Sequence, residues 1–381
     1  MDKYNWITFK LNLEKLPWHT WVRLGECAAK CQQIRQIPLK PAIKNQLHRI
    51  YLAKGVLATT AIEGNTLTEQ QVLDVLDDKL KLPPSKEYLE QEIRNIIEAC
   101  NKVGTDIAKG NGGKISVEQI CEYNKMVLAG DVPRDEAAVP GQVRKHNVVV
   151  GNVYRPPDGK DILQLLEKFC EWLNSEDLKN KQTPLLFAII KAVAAHLYFA
   201  WIHPFGDGNG RVARLLEFAI LLDSGVPSPA AHLLSNHYNI TRAEYYRQLD
   251  KAGKTTDPTD FITYAITGFL DGLNEQLTYI ERHIMDTCWK DYVYERFEEI
   301  GSGPVIKRQR KLAIQISNKD EPVSRDAIIL VMSQEYKNKT ERTLARDLNK
   351  LEKMNLIVKT EGKYRVRKEL MLQFLPFSTH R

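Results

Sequence analysis

Residues 203–214 read His-Pro-Phe-Gly-Asp-Gly-Asn-Gly-Arg-Val-Ala-Arg, "HPFGDGNGRVAR". An apolar helical run from Pro184 to Ile202 leads into this stretch, and a second helical run, Arg211 to Asp223, leads out of it. Pro204 disfavours helical backbone at the residue before it, so the first helix must end near His203. Gly206, Gly208 and Gly210 permit positive φ and let the backbone approach a ligand closely. The loop amides and the N-terminus of the second helix converge on one spot. That makes an anion site carrying about half a unit of positive charge. Arg211 and Arg214 lie three apart on the first turn and lean back over the loop, where two guanidiniums suit further phosphates. Asp207 is a lone carboxylate in this cationic nest, a fitting place for a Mg²⁺ that also binds phosphate oxygens. His203, at the mouth of the loop, has the titration range of a general base. The reading is a nucleotide-phosphate site with its own base. It is not a Walker-type loop: the nearest approach, "GNGGKI" at 110–115, lacks the first glycine and the hydroxyl.

The chain around this motif has 381 residues, 43% hydrophobic and 27% charged, which suits one large domain and a small one. No basic and then apolar leader opens it, and the apolar run before His203 carries Lys191 and His196. A cytoplasmic protein without membrane association is expected. Six cysteines at this length read as reduced thiols, and Cys27 and Cys31 lack a second pair at zinc-site spacing. The net charge of +6 is uneven. Residues 301–381 hold 18 Lys/Arg against 9 Asp/Glu, so all the positive surplus lies in the last fifth of the chain.

Helical spacing over 40–63 ends at Gly64-Asn65, and Thr68 to Gln71 reads as a capping box. Ser85 starts a further helix, Ser116 caps another, and 161–174 forms a fifth with Leu165, Leu166, Phe169, Trp172 and Leu173 inward. A helix apolar nearly all round, 184–202, is the expected centre of the domain. Asp257-Pro258 opens a long helix. One stretch before residue 300 reads as β: "VRKHNVVVGNVYRPP", 143–157, a hairpin turning at Gly151-Asn152. After the break Gly301–Pro304, short helices precede two strand-like runs around Glu361-Gly362, the element order of a winged helix-turn-helix.

The motif resembles the signature of the Fic family, H-P-F-x-[DE]-G-N-G-R-x-x-R, at every fixed position. "TTAIEGN" at 59–65 is similar to that family's inhibitory motif, [ST]-x-x-x-E-[GN], with Thr59, Glu63 and Gly64 in register. The resemblance covers roughly residues 40–290 and points to the class whose inhibitory helix precedes the core. The expected fold is mainly α: a Fic-type helical core with one β-hairpin flap, plus a small winged helix-turn-helix domain. The expected division is 1–110, with the inhibitory helix at about 41–64, then a catalytic core 111–298 and a winged-helix-like domain 301–375.

The resemblance implies a protein adenylyltransferase moving AMP from ATP to Ser, Thr or Tyr hydroxyls of target proteins and of itself. His203 would deprotonate the acceptor, and Asp207 would ligate Mg²⁺. Amides of Gly208, Asn209 and Gly210, with the Asn209 side chain, would form the anion hole, each donor contributing about 3–4 kcal/mol. Arg211 would contact the inner phosphates and Arg214 the γ-phosphate. Glu63 ends a helix where its charge opposes the dipole, so it should seek a cation. The resemblance offers Arg214, which makes Glu63 an inhibitory switch; the alternative is an ordinary surface ion pair of ~0–1 kcal/mol. A further implication is that Glu63 orients a water and that AMP is also removed. The flap residues Val148, Val149, Val150 and Gly151 would dock an extended target segment as an added strand. In the basic tail, Arg342, Arg346, Lys363 and Arg365 are candidate DNA contacts, with protein docking or a homodimer as the other use of such a module. A DNA-binding regulator that only senses nucleotide is the second functional class.

Overall fold

A run from Pro184 to Ile202 without a single acidic residue can only be stable if surrounded, and it is. In the computed structural model, which describes residues 2–151, 154–176, 182–319 and 321–372, this run is a helix buried on nearly every face. By length and composition it could cross a membrane, yet 72% of its apolar window is buried inside the protein.

The chain divides into two compact units, Met1–Leu277 and Thr278–Arg381. The first begins with α1 (Trp18–Gln36), α2 (Pro41–Ile62), α3 (Glu69–Leu76), α4 (Glu87–Ala108) and α5 (Val117–Val127). It continues with α6 (Ile162–Asn174), α7 (Pro184–Ile202), α8 (Asn209–Asp223), α9 (Ser228–Ala231), α10 (Leu233–Ile240) and α11 (Arg242–Thr255). Helix α7 is the hub. Helix α8 packs along it, and α1 and α6 cover other faces. Helix α2 lies against α10, α4 and α8, with Leu47, Tyr51, Val56 and Ile62 inward.

Local signals set several of these ends. Thr68 and Gln71 form the reciprocal capping box of α3, and the Ser116 hydroxyl accepts from Gln119 N at 3.2 Å to start α5. Helix α4 begins two residues later than expected. Pro83 and Pro84 draw Ser85 into a 3₁₀ turn, Pro84–Lys86, and the α-helix starts at Glu87.

Among the described residues of the expected hairpin at 143–157, Val150 and Tyr154 form an antiparallel bridge closed by N–H···O bonds of 2.9 and 3.0 Å. At the base of the segment stands Arg144. Its guanidinium takes the carbonyls of His146 and Pro157, so the base of the segment is tied to a side chain and not to a facing strand. Gly151 has the positive φ of a turn, while Asn152 lies outside the described residues.

The long helix α12 (Thr259–Glu298) crosses the division between the units. Gly301–Pro304 ends this helix but is not where the compact units part, because Trp289, Val293 and Phe297 are buried in the second unit's core. That unit continues with α13 (Pro304–Ser317), α14 (Arg325–Val331), α15 (Ser333–Tyr336) and α16 (Glu341–Lys353). A hairpin of β1 (Ile357–Thr360) and β2 (Lys363–Val366) follows, turning through Glu361 and Gly362, both at positive φ. Val323 adds a single bridge to Tyr364 of β2.

Candidate active site

Helix α7 ends at His203, whose backbone is left-handed (φ 50°, ψ 62°) and whose N–H still reaches Phe199 O at 2.9 Å. The chain then folds tightly to Gly208, at φ 79°, before α8 begins at Asn209. The Asn209 carboxamide closes this loop: its Oδ1 accepts from Phe205 N at 2.9 Å and its Nδ2 donates to Phe205 O at 2.7 Å. The Asn209 side chain thus clasps the loop through its oxygen and one N–H, and its second Nδ2 hydrogen is not used by these two bonds. The main-chain N–H groups of the first turn, at Asn209, Gly210 and Arg211, are those a helix leaves without intrahelical acceptors. They are the main-chain donors that the loop and the helix terminus offer.

His203 is half-buried. Burial, reinforced by the Arg144 guanidinium, pushes its pKa down to about 4 against the opposing pull of Glu63 and Asp207. The imidazole is therefore neutral at physiological pH and able to accept a proton. Asp207 accepts from Arg134 N at 2.8 Å and from Gly208 N, with Arg211 Nη2 at 3.6 Å from its Oδ1. Among the described residues no cluster of three or more His, Cys, Asp or Glu side chains is arranged to hold a metal.

Both arginines of the motif are buried, Arg211 at 5% and Arg214 at 2% exposure. Arg211 Nη1 donates to Val127 O at 3.2 Å and to Asp131 Oδ2 at 3.1 Å. Burial raises the Asp131 pKa and Arg211 opposes it. Arg214 is directed at α2. Its Nε donates to Thr59 Oγ1 at 2.7 Å, and its Nη2 to Thr59 O at 3.0 Å and Glu63 Oε1 at 2.6 Å.

Glu63, Thr59 and Arg214 are thus brought together from positions more than 150 residues apart. Burial would raise the Glu63 pKa, but Arg214, with Arg211 and Arg134 behind it, holds the carboxyl below its ordinary range. The carboxylate rests on the first turn of α8: a Cβ at position 210 would stand 2.2 Å from Glu63 Oε1. Glycine at 210 is required for that contact. The carboxylate of this chain's own Glu63 thus lies against the first turn of α8 and on Arg214.

Three further arginines complete the site, and the motifs did not point to them. Arg134 donates its main-chain N–H to Asp207 and its guanidinium to the Glu63 carbonyl. Arg242 donates to the carbonyls of Ala61 and Ile62, so the C-terminus of α2 is held by two cations. Arg144 Nε donates to the His203 carbonyl at 2.8 Å. None of the three stands in a spacing that sets it apart from surface arginine in the sequence.

Val149 is exposed, while Val148 and Val150 are half-buried on the segment beyond Arg144. In the second unit, Arg342, Arg346, Lys363 and Arg365 are all exposed, Arg365 pairing with Glu369 at 3.0 Å.

Comparison with known proteins agrees with this geometry. The model of the Fic/DOC family matches residues 114–221. The chain is 29% identical over 216 residues to protein adenylyltransferase Fic of Nematostella vectensis, covering 57% of this chain and 45% of that protein. It is 30% identical over 223 residues to protein adenylyltransferase fic-1 of Caenorhabditis elegans, covering 58% and 40%. The chain thus spans less than half the length of these curated relatives. Its fold is similar to that of a Fic family protein from Desulfovibrio desulfuricans G20, with TM-score 0.55, 21% identity, and 92% and 95% of the two chains covered. It is also similar to Fic-1 (residues 134–508) of C. elegans, with TM-score 0.57, 24% identity, and 69% and 73% covered. Motif, loop geometry and family match coincide: this chain carries a Fic/DOC family domain across residues 114–221.

Proposed function

We propose that this protein is an ATP-dependent protein adenylyltransferase restrained by its own Glu63. The observation that carries the proposal is the Glu63 carboxylate seated on the N-terminus of α8 and bonded to Arg214. A helix terminus, a glycine loop and two arginines form a site for phosphates, and the carboxylate takes the place of one. The names of the two relatives support the same activity.

In the reaction, a hydroxyl of the target protein attacks the α-phosphorus of ATP. The new oxygen–phosphorus bond forms as the bond to the β-phosphate bridge breaks, and pyrophosphate leaves. His203, neutral at physiological pH, takes the hydroxyl proton. The amides of Asn209 and Gly210 and the buried Arg211 face the phosphate charge in fixed positions, which makes their stabilisation effective. Arg214 serves the γ-phosphate once Glu63 releases it.

Asp207 fits a single-carboxylate Mg²⁺ site, the usual arrangement when phosphate oxygens complete the shell. Both its oxygens keep lone pairs beyond the N–H bonds they accept. A bound Mg²⁺ would neutralise phosphate charge. The target segment lies along Val148 to Gly151, where Val149 offers an exposed apolar contact. The chain itself is a second acceptor. In the restrained state Glu63 would orient a water that attacks the phosphorus of an AMP-bearing hydroxyl; the bond to the target oxygen breaks, AMP leaves, and this hydrolysis is the expected opposing activity.

The Glu63→Gly protein, incubated with ATP, Mg²⁺ and cell lysate, should yield AMP-bearing Ser, Thr or Tyr peptides by mass spectrometry, and His203→Ala should abolish them. Transfer of phosphate or intact triphosphate in place of AMP would refute the assignment.

A further inference from the structure

Arg144 is 4% exposed and has no part in the reaction just described, yet it touches both the base and the flap. All three guanidinium nitrogens donate to main-chain carbonyls: Nε to His203 at 2.8 Å, Nη1 to His146 at 2.7 Å and Nη2 to Pro157 at 2.8 Å. Its own N–H donates to Pro204 O at 2.9 Å. No carboxylate is among these hydrogen-bond partners, Asp158 acting on the charge only from farther away, so the buried guanidinium is seated on carbonyl dipoles. A plain strut between two loops would not need that charge.

The bonds do two things at once. One holds the left-handed backbone at His203, which an L-residue keeps only where its surroundings over-determine it. The other two gather both limbs of the segment carrying Val148, Val149 and Val150. One rigid planar fork therefore connects the docking segment to the base, and a lysine ammonium, a point donor on a flexible stem, cannot reproduce it. A second tie to the segment, His146 Nε2 to Asp135 Oδ2 at 2.6 Å, does not reach His203. Arg211 and Arg214 bond a different set of partners, so nucleotide contacts are separable from this fork.

We infer that Arg144 is a positioning residue for AMP transfer, fixing the distance between the hydroxyl of a docked target segment and the His203 ring. The inference rests on the adenylyltransferase reading.

The test uses the full chain with Glu63→Gly, alone and combined with Arg144→Lys or Arg144→Met. AMP transfer to the chain and to lysate proteins is measured at saturating ATP, and ATP affinity by calorimetry. The His203 Hε1–Cε1 cross peak is followed by NMR in nucleotide-free, metal-free protein. The expected result is a loss of transfer of at least fivefold in both variants, ATP affinity within threefold of the parent, and a displaced cross peak. A smaller loss in the Lys variant overturns the inference, as does ATP affinity falling in step with transfer, or an unmoved cross peak. If the Met variant does not fold, the Lys variant decides. If the Glu63→Gly parent transfers no AMP, the adenylyltransferase reading fails, and the cross peak still reports whether Arg144 places the base.

Discussion

In the proposed reaction Arg214 would serve either Glu63 or a phosphate, one at a time. Its present bonds to Thr59 and Glu63 leave it buried and satisfied. Breaking a fully buried pair costs about 3–5 kcal/mol and an exposed one about 0–1 kcal/mol. Glu63 is 27% exposed, and Thr59 would still bind Arg214, so Glu63→Gln should destabilise the chain by only about 1 kcal/mol, read by urea denaturation. The pH dependence follows from direction. The Glu63 carboxyl sits below its ordinary range, so the lock is complete above that range and is lost only as pH falls through the lowered value. His203 is depressed to about 4, so it costs stability progressively as pH falls from about 6.5 toward 4 and remains an unprotonated base above that. The basal transfer rate should therefore show no rise through Glu63 and no loss through His203 between pH 8 and about 5.5. A step in that window would contradict the assigned environments.

In the proposed autoinhibition, helix α2 is the element that would hold or move Glu63. Its carbonyls at Ala61, Ile62 and Glu63 carry the negative end of the dipole, and Arg242 and Arg134 cap them. Each such cation contributes about 0.3–1 kcal/mol and offsets the Glu63 charge at the same end. Arg242→Ala should loosen the last turn and raise AMP transfer a few-fold, less than Glu63→Gly does. An unchanged rate would show that α2 is held by its apolar face alone. Elements such as α2, α7 and α8 were readable because periodicity, Gly64 and Pro204 mark them locally. The cap of α5 at Ser116 and the box at Thr68 were readable for the same reason. The flap was readable at its turn, where Val150 bridges Tyr154 beyond Gly151, but its ties through Arg144 were not, since they reach 59 residues along the chain to His203. The Asn209 clasp on Phe205 was likewise not readable, because nothing in its residue type selects that partner.

At the scale of the whole molecule, the two units draw on separate cores. In the second, Asp347 is fully buried and accepts from Arg308 at 2.8 Å, Gln309 at 2.7 Å and Tyr336 at 2.9 Å. Asp347→Ala strands the Arg308 charge and should cost about 3–5 kcal/mol in that unit, while ATP binding in the first is retained. Loss of both together would show one cooperative structure. The positive surplus after residue 300 was visible as composition, but this carboxylate, which fixes α16 from within, was hidden among the interleaved charges. The central claim concerns the first unit and is tested most directly by the rate of AMP incorporation from labelled ATP, Glu63→Gly against wild type. The account predicts at least a tenfold increase, removed by adding Arg214→Ala. A Glu63→Gly protein that binds ATP but transfers AMP no faster than wild type would contradict it.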